Sequence, residues 1–148
     1  MARHFRAGVV AVVERSDGLI CAFERADAPG NWQLPQGGIE QGEEPLEAAW
    51  RELGEETGLS AGDVTLVAEH PEWMAYEWPA EVSRGRKGIG QVQRWFTFRL
   101  VDDATEPSPD GSEFVAWQWV EPAWLTHHVI DFRRAVYERV LGARRLET

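Results

Sequence analysis

The sequence predicts an α/β protein in which a mixed β-sheet lies between α-helices. Segments of strand character outnumber helical ones, and the long helical segments fall in the first half and at the end of the chain. Of the 148 residues, 43% are hydrophobic, enough for a packed core and against disorder. At this length one domain over residues 1–148 is expected.

The elements follow in order. Residues 9–13 form a β-branched apolar run, then Ser16-Asp17-Gly18, then a second apolar run over 19–23, which reads as a β-hairpin. Residues 27–31, with Pro29 and Gly30, form a loop, and Trp32-Gln33-Leu34 a short strand that stops at Pro35. Pro45 marks a first helical turn and Gly58 a helix stop; between them Leu46, Trp50, Leu53 and Thr57 recur at helical spacing. Strands are expected over 64–68 and 73–78, then a polar, basic loop over 82–90. Val92, Arg94, Phe96, Phe98 and Leu100 alternate through a strand over 91–101. An acidic loop with Pro107 and Pro109 leads to a strand over 114–120, and Phe132, Ala135, Val136 and Val140 mark a helix over 131–141.

Composition excludes several classes of function. No apolar run reaches the roughly 20 residues that cross a bilayer. The N-terminus lacks the features of a signal peptide, and the single Cys21 cannot close an internal disulfide, so a cytoplasmic protein is expected. Cys21 sits in an apolar run and reads as a buried structural thiol. Most of the eight tryptophans are expected in the core. A net charge of −10 argues against extended nucleic-acid binding, because long phosphate backbones need basic surfaces. That charge is uneven. Seven glutamates crowd residues 40–56, whereas Arg84, Arg86, Lys87 and Arg94 form a basic stretch.

On a helical wheel Glu52, Glu55 and Glu56 share an arc of roughly 100°, opposite the apolar residues, with Ala48 and Ala49 bordering them and leaving room beside them. Three carboxylates so placed repel one another, and Glu55 and Glu56 also lie near the negative end of the helix dipole. A solvated acidic face is one reading; the other is that divalent cations supply the missing charge, since Mg²⁺ takes carboxylate oxygens together with substrate phosphates. Gly37-Gly38, just ahead of this helix, permits close approach of main-chain groups to a ligand.

The whole stretch reads Gly37, five residues, Glu43, seven residues, then Arg51-Glu52-Leu53-Gly54-Glu55-Glu56-Thr57-Gly58-Leu59. In every fixed position it resembles the Nudix box. Trp32-Gln33-Leu34-Pro35-Gln36-Gly37-Gly38, Gly90-Gln91-Val92-Gln93-Arg94-Trp95-Phe96 and Phe132-Arg133-Arg134-Ala135-Val136-Tyr137 extend the likeness. They resemble the branch containing bacterial RNA 5′-pyrophosphohydrolases and dinucleoside tetraphosphate hydrolases. The resemblance implies an α/β/α sandwich and a Mg²⁺-dependent hydrolase, with Mn²⁺ as a substitute, that cleaves phosphoanhydride bonds by water attack at phosphorus. Alternatives within it are hydrolysis of mononucleotides or nucleotide sugars, and a nucleotide sensor that has lost catalysis.

Residue roles follow from the same resemblance. Glu52, Glu55 and Glu56 would bind metal, with the Gly37 carbonyl as a further ligand. Glu56 or Glu113 would be the general base, and Glu55 completes the catalytic set. Arg51 would orient glutamates, with Glu47 and Glu55 as its helical neighbours; Glu43 would be structural, bonding to Arg51 or to loop amides, and Gly38 and Gly58 would be structural too. Arg6, Arg25, Lys87 and Arg133 are candidates to hold phosphates, and Tyr76 and Phe132 to stack on a base. The branch often carries lysines where this chain has Val92 and Arg94. With the acidic charge, that favours a nucleotide, a dinucleoside polyphosphate or only the 5′ end of an RNA as partner.

Overall fold

The computed structural model describes residues 4–145, with side chains through residue 142. Its elements in chain order are β1 (Phe5–Glu14), β2 (Ile20–Arg25), β3 (Trp32–Gln33), β4 (Gln36–Gly38), α1 (Pro45–Thr57), β5 (Val64–Glu69) and β6 (Met74–Glu77). There follow α2 (Ala80–Ser83), β7 (Gly90–Leu100), β8 (Phe114–Val120), α3 (Pro122–Thr126) and α4 (Asp131–Arg145). The eight strands form one mixed sheet in which β3-β2-β1-β7-β5 run side by side, with β4 on β1, β6 on β7 and β8 on β2.

The expected hairpin is present but barely paired. β1 and β2 meet only at Glu14↔Ile20 and then diverge. β1 instead runs parallel to β7 for its whole length, Phe5↔Gly90 to Glu14↔Arg99, and takes β4 on its other side. β2 takes β3 and β8. The segment from Trp32 to Gly38 therefore bridges a split in the sheet, held there by Ala11 N–H donating to the Pro35 carbonyl at 3.0 Å and Leu34 N–H donating to the Tyr137 hydroxyl at 3.0 Å. Gly37-Gly38, just ahead of the helix, is part of strand β4.

Val9 to Val13 are all buried because β1 is covered on both faces. On one face Val9, Ala11, Val13, Phe96, Phe98 and Leu100 pack with α1; on the other Val10, Val12 and Trp95 pack with α4. The alternation seen over residues 91–101 is the α1-facing half of β7. Two short helices were not expected, α2 running into the start of the basic loop and α3 ahead of α4, both starting at or next to a proline. Cys21 is fully buried, and burial pushes its thiol pKa up, as a structural cysteine requires.

Two expectations about packing need correction. Only Trp78 and Trp95 of the eight tryptophans are buried; Trp73 is exposed, and the other five lie half-buried at the core margins. Ala48 and Ala49 do not border open space beside the glutamates. They are fully buried with Leu53 and Thr57, and Glu56 shares that buried face. The helix is turned toward the sheet through its smallest residues, which lets α1 approach closely and carries Glu56 inward.

Candidate active site

Helix α1 begins with Pro45 in its first turn and Glu47 accepting a hydrogen bond from the Glu44 N–H at 2.9 Å. Glu47 is thus used at the helix start and does not pair with Arg51. The helix ends at Gly58, whose φ of 76° lets its N–H return to the Gly54 carbonyl at 3.0 Å. Gly58 has a second duty: a Cβ there would lie 2.6 Å from Ser108 Oγ, and the Ser108 N–H donates to the Thr57 carbonyl at 2.8 Å. The acidic loop before β8 is thereby docked on the end of α1.

Arg51 ties strand to helix. Its Nε and Nη2 donate to the Glu43 carboxylate at 2.8 and 2.9 Å, Nη2 also to the Gly38 carbonyl at 2.9 Å, and Nη1 to Glu52 at 2.7 Å. Glu55, at 3.5 Å from Nη1, is held more loosely and its side chain is 60% exposed. Glu43 also accepts from the Glu40 N–H at 2.9 Å, and the Arg51 guanidinium holds its carboxyl down at about pH 2. Bonding to Arg51 and to a loop amide, the two structural roles open to Glu43 in the sequence, are both present.

The glutamates sit at three depths. Glu56 is buried, Glu52 is half-buried and Glu55 faces outward. The Gln36 N–H donates to Glu56 Oε2 at 3.1 Å. Burial, then the charges of Glu113 and Glu52, raise the Glu56 pKa to about 9. Glu52 is also raised, first by burial and against the pull of Arg51. Glu113 is itself exposed, just before β8. Its backbone carbonyl accepts from Ala26 N–H at 2.9 Å, which pins its position beside the cluster.

Among the described residues no three His, Cys, Asp or Glu side chains already form a closed metal cage. The donor chemistry nonetheless fits a hard divalent cation: carboxylate oxygens crowded against one another, with a raised pKa recording unsatisfied negative charge. Gly37 completes the cradle. A Cβ on it would fall 2.0 Å from the Glu52 carboxyl carbon, so only glycine lets β4 and this carboxylate touch. Gly37→Ala is expected to leave the fold intact and to cut turnover about a hundredfold, the size expected when a carboxylate read as a metal ligand is displaced by an ångström. Steady-state kinetics beside a circular dichroism spectrum check it; near wild-type turnover would mean that the position of Glu52 is immaterial.

On the α4 side of the sheet Arg6, Gln91 and Tyr76 stand in one row, since Arg6 and Tyr76 both pair with Gln91. Arg6 is exposed. Tyr76 is buried, its hydroxyl hydrogen-bonded to Gln91 and accepting from Arg133 Nε at 3.2 Å. Its ring already meets Phe132 at 5.7 Å, so a base has open access only to the half-buried Phe132. Arg133 is buried, its guanidinium 5.3 Å from the Phe132 ring centre, and its Nη1 donates to Gln33 Oε1 at 2.6 Å. Arg25 is clamped by Asp27 through two 2.8 Å bonds and donates through Nη1 to the same Gln33 oxygen at 2.9 Å.

Lys87 is exposed in the loop between α2 and β7. That loop is tied to the body of the fold. Arg86 lies 5.0 Å from the Trp78 ring and donates to the Val82 carbonyl at 3.1 Å, and the Ile89 N–H donates to the His4 carbonyl at 2.8 Å. All three basic residues, Arg84, Arg86 and Lys87, are exposed, and Arg86 is held by these contacts.

Sequence reasoning missed a row of buried glutamines. Gln93 is 1% exposed and its Nε2 donates to Gln36 Oε1 at 3.3 Å, and Gln33 is 2% exposed. With Gln91 they link the arginines to the strand that bonds Glu56. Uncharged polar residues inside strands were the available signal.

A family model described as NUDIX domain matches residues 4–140. A protein named RNA pyrophosphohydrolase from Cereibacter sphaeroides is 42% identical over 95% of this chain and 91% of its own. Nudix hydrolase 25 from Arabidopsis thaliana is 38% identical over 93% and 84%. Among solved structures, an E. coli dihydroneopterin triphosphate pyrophosphohydrolase superposes with a TM-score of 0.77 at 19% identity, covering 95% of this chain and 99% of that one. A C. elegans Ap4A hydrolase does so with 0.72 at 18% identity, over 96% and 98%. At such identities the solved structures show the fold alone.

Proposed function

The chain belongs to the Nudix family, and we propose that within it the protein is a Mg²⁺-dependent pyrophosphohydrolase of dinucleoside polyphosphates or RNA 5′-triphosphate ends. The observation that carries this is the carboxylate cluster of Glu52, Glu56 and Glu113 beside the Arg25–Gln33–Arg133 group: acids for a cation at one end, cations for phosphates at the other. The relatives named RNA pyrophosphohydrolase support the substrate class. Among the described residues no helix is long and apolar enough to cross a membrane.

Glu52 and Glu56, with Glu55 and the Gly37 carbonyl, would hold the metal. When bound, it supplies positive charge to the phosphoryl oxygens and makes water more acidic. The chain's own groups do the rest. Arg51 keeps Glu52 aimed, Arg25 and Arg133 hold the phosphate chain, and Arg6 and Phe132 flank the nucleoside. Glu113 takes the proton as water attacks phosphorus and the bond to the leaving phosphate breaks. No covalent nucleophile takes part.

The net charge of −10 sets the substrate's size, because a long polyanion is repelled where a short one reaches the arginines. Diadenosine tetraphosphate and a two-nucleotide triphosphorylated RNA should both be hydrolysed with Mg²⁺ and left intact with chelator. A long triphosphorylated RNA should be processed within about tenfold of the short one at matched salt. Chromatography of the products checks all three. Turnover in chelator overturns the metal assignment, and a hundredfold preference for long RNA overturns the short-substrate reading.

A further inference from the structure

Gln33 joins the two arginines of the site through one atom. Its Oε1 accepts from Arg133 Nη1 at 2.6 Å and from Arg25 Nη1 at 2.9 Å, with the residue 2% exposed. The amide orientation is chemically determined, since turning it over would set an NH₂ donor against two donors. Its own Nε2 faces the Leu34 carbonyl at 3.4 Å. Two like charges are thus brought to a common point by a neutral acceptor, in a buried setting where their repulsion is poorly screened.

What neutralises them is unequal. Arg25 has Asp27 in a two-bond pair and also feels Glu113. Arg133 is 7% exposed and makes no ion pair among the described residues; its contacts are Gln33, the Tyr76 hydroxyl and the Phe132 and Tyr76 rings. A glutamate at position 33 could serve as the missing counter-ion with the same shape. Glutamine keeps the geometry and leaves the charge.

We propose that Gln33 is a positioning residue that converges Arg25 and Arg133 on one point while adding no negative charge, so that Arg133, without an ion pair among the described residues, keeps its charge for a polyphosphate anion. This rests on reading the two arginines as the substrate's phosphate grip. It makes opposite demands on two substitutions. Gln33→Glu preserves the convergence and cancels the charge; Gln33→Met preserves the charge and releases the convergence.

The test is steady-state hydrolysis of diadenosine tetraphosphate with saturating Mg²⁺ at low and high salt, beside thermal unfolding of each variant. Gln33→Glu should unfold at or above the wild-type temperature, raise KM at least about tenfold, the size of one charge-assisted hydrogen bond, and flatten the salt dependence of KM. Its kcat should stay within about threefold, since neither arginine is charged with proton transfer. Gln33→Met should raise KM while retaining the salt dependence. Wild-type KM in Gln33→Glu, or a fall in unfolding temperature with KM unchanged in both variants, overturns the proposal and leaves the pyrophosphohydrolase reading standing. If the wild-type protein does not hydrolyse the substrate, that reading fails and the inference falls with it.

Discussion

Glu56→Gln should fold, and its turnover should fall by at least about a thousandfold, because it removes a charge from the centre of the carboxylate cluster. The substitution is isosteric, and a glutamine oxygen can still accept the Gln36 N–H bond. The same variant should change stability in a way that depends on pH. In the metal-free protein the Glu56 carboxyl titrates near 9 against an ordinary value of 4.5. A carboxyl with a raised folded pKa holds its proton in the folded state after the unfolded chain has lost it. Its contribution is therefore fully present below pH 4.5 and declines as pH rises through the window to about 9, by at most about 1.4 kcal/mol per pH unit. Wild-type protein in chelator should lose unfolding temperature across that window, and Glu56→Gln should lose much less. Mg²⁺ should restore the wild type most at the alkaline end, where the carboxylate is ionised. Parallel pH profiles for the two proteins would mean that Glu56 is not the buried acid described here, and wild-type turnover in the variant would remove it from the reaction.

Glu113→Gln is expected to lower kcat by about 10²–10⁴, the range for a general acid–base group, with KM changed far less. Glu113 is exposed beside a buried Glu56, so it is the carboxylate of the cluster best placed to exchange a proton with solvent. Its position depends on the loop docked by Ser108 on the Thr57 carbonyl and on the Ala26 N–H bond to its own carbonyl. The residue is exposed, so the variant should unfold close to the wild-type temperature. Rapid-mixing kinetics at saturating substrate isolate the chemical step. A loss below tenfold passes the proton-accepting role to Glu56.

The helix with Pro45 at its start and Gly58 at its end, the strand that β7 became and the box glutamates could all be read from residue order. Each depends on local rules: proline in a first turn, glycine with positive φ at a helix stop, alternation in a strand. The family followed in the same way, because its motif is a fixed spacing of residue types along one strand, loop and helix. Depth could not be read so. A wheel placed Glu52, Glu55 and Glu56 on one arc, yet burial of Ala48 and Ala49 rotates α1 so that Glu56 turns inward and Glu55 outward. That Gly37 permits a close approach could be read, but only pairing with Val9 on β1 sets it against Glu52.

The arginines show the same boundary. Arg25 and Arg133 are more than a hundred residues apart in the chain, and no periodicity connects them. Their meeting at Gln33 exists because β1 and β2 part after Glu14 and Ile20 and the chain from Trp32 to Gly38 crosses the gap. By itself the sequence determined the elements, the family motif and the acidic net charge, since these reside in local conformational preference and net composition. Only the tertiary structure decided which carboxylate is desolvated and which cations converge, because burial and the distance between charges are properties of packed elements rather than of neighbours in the chain.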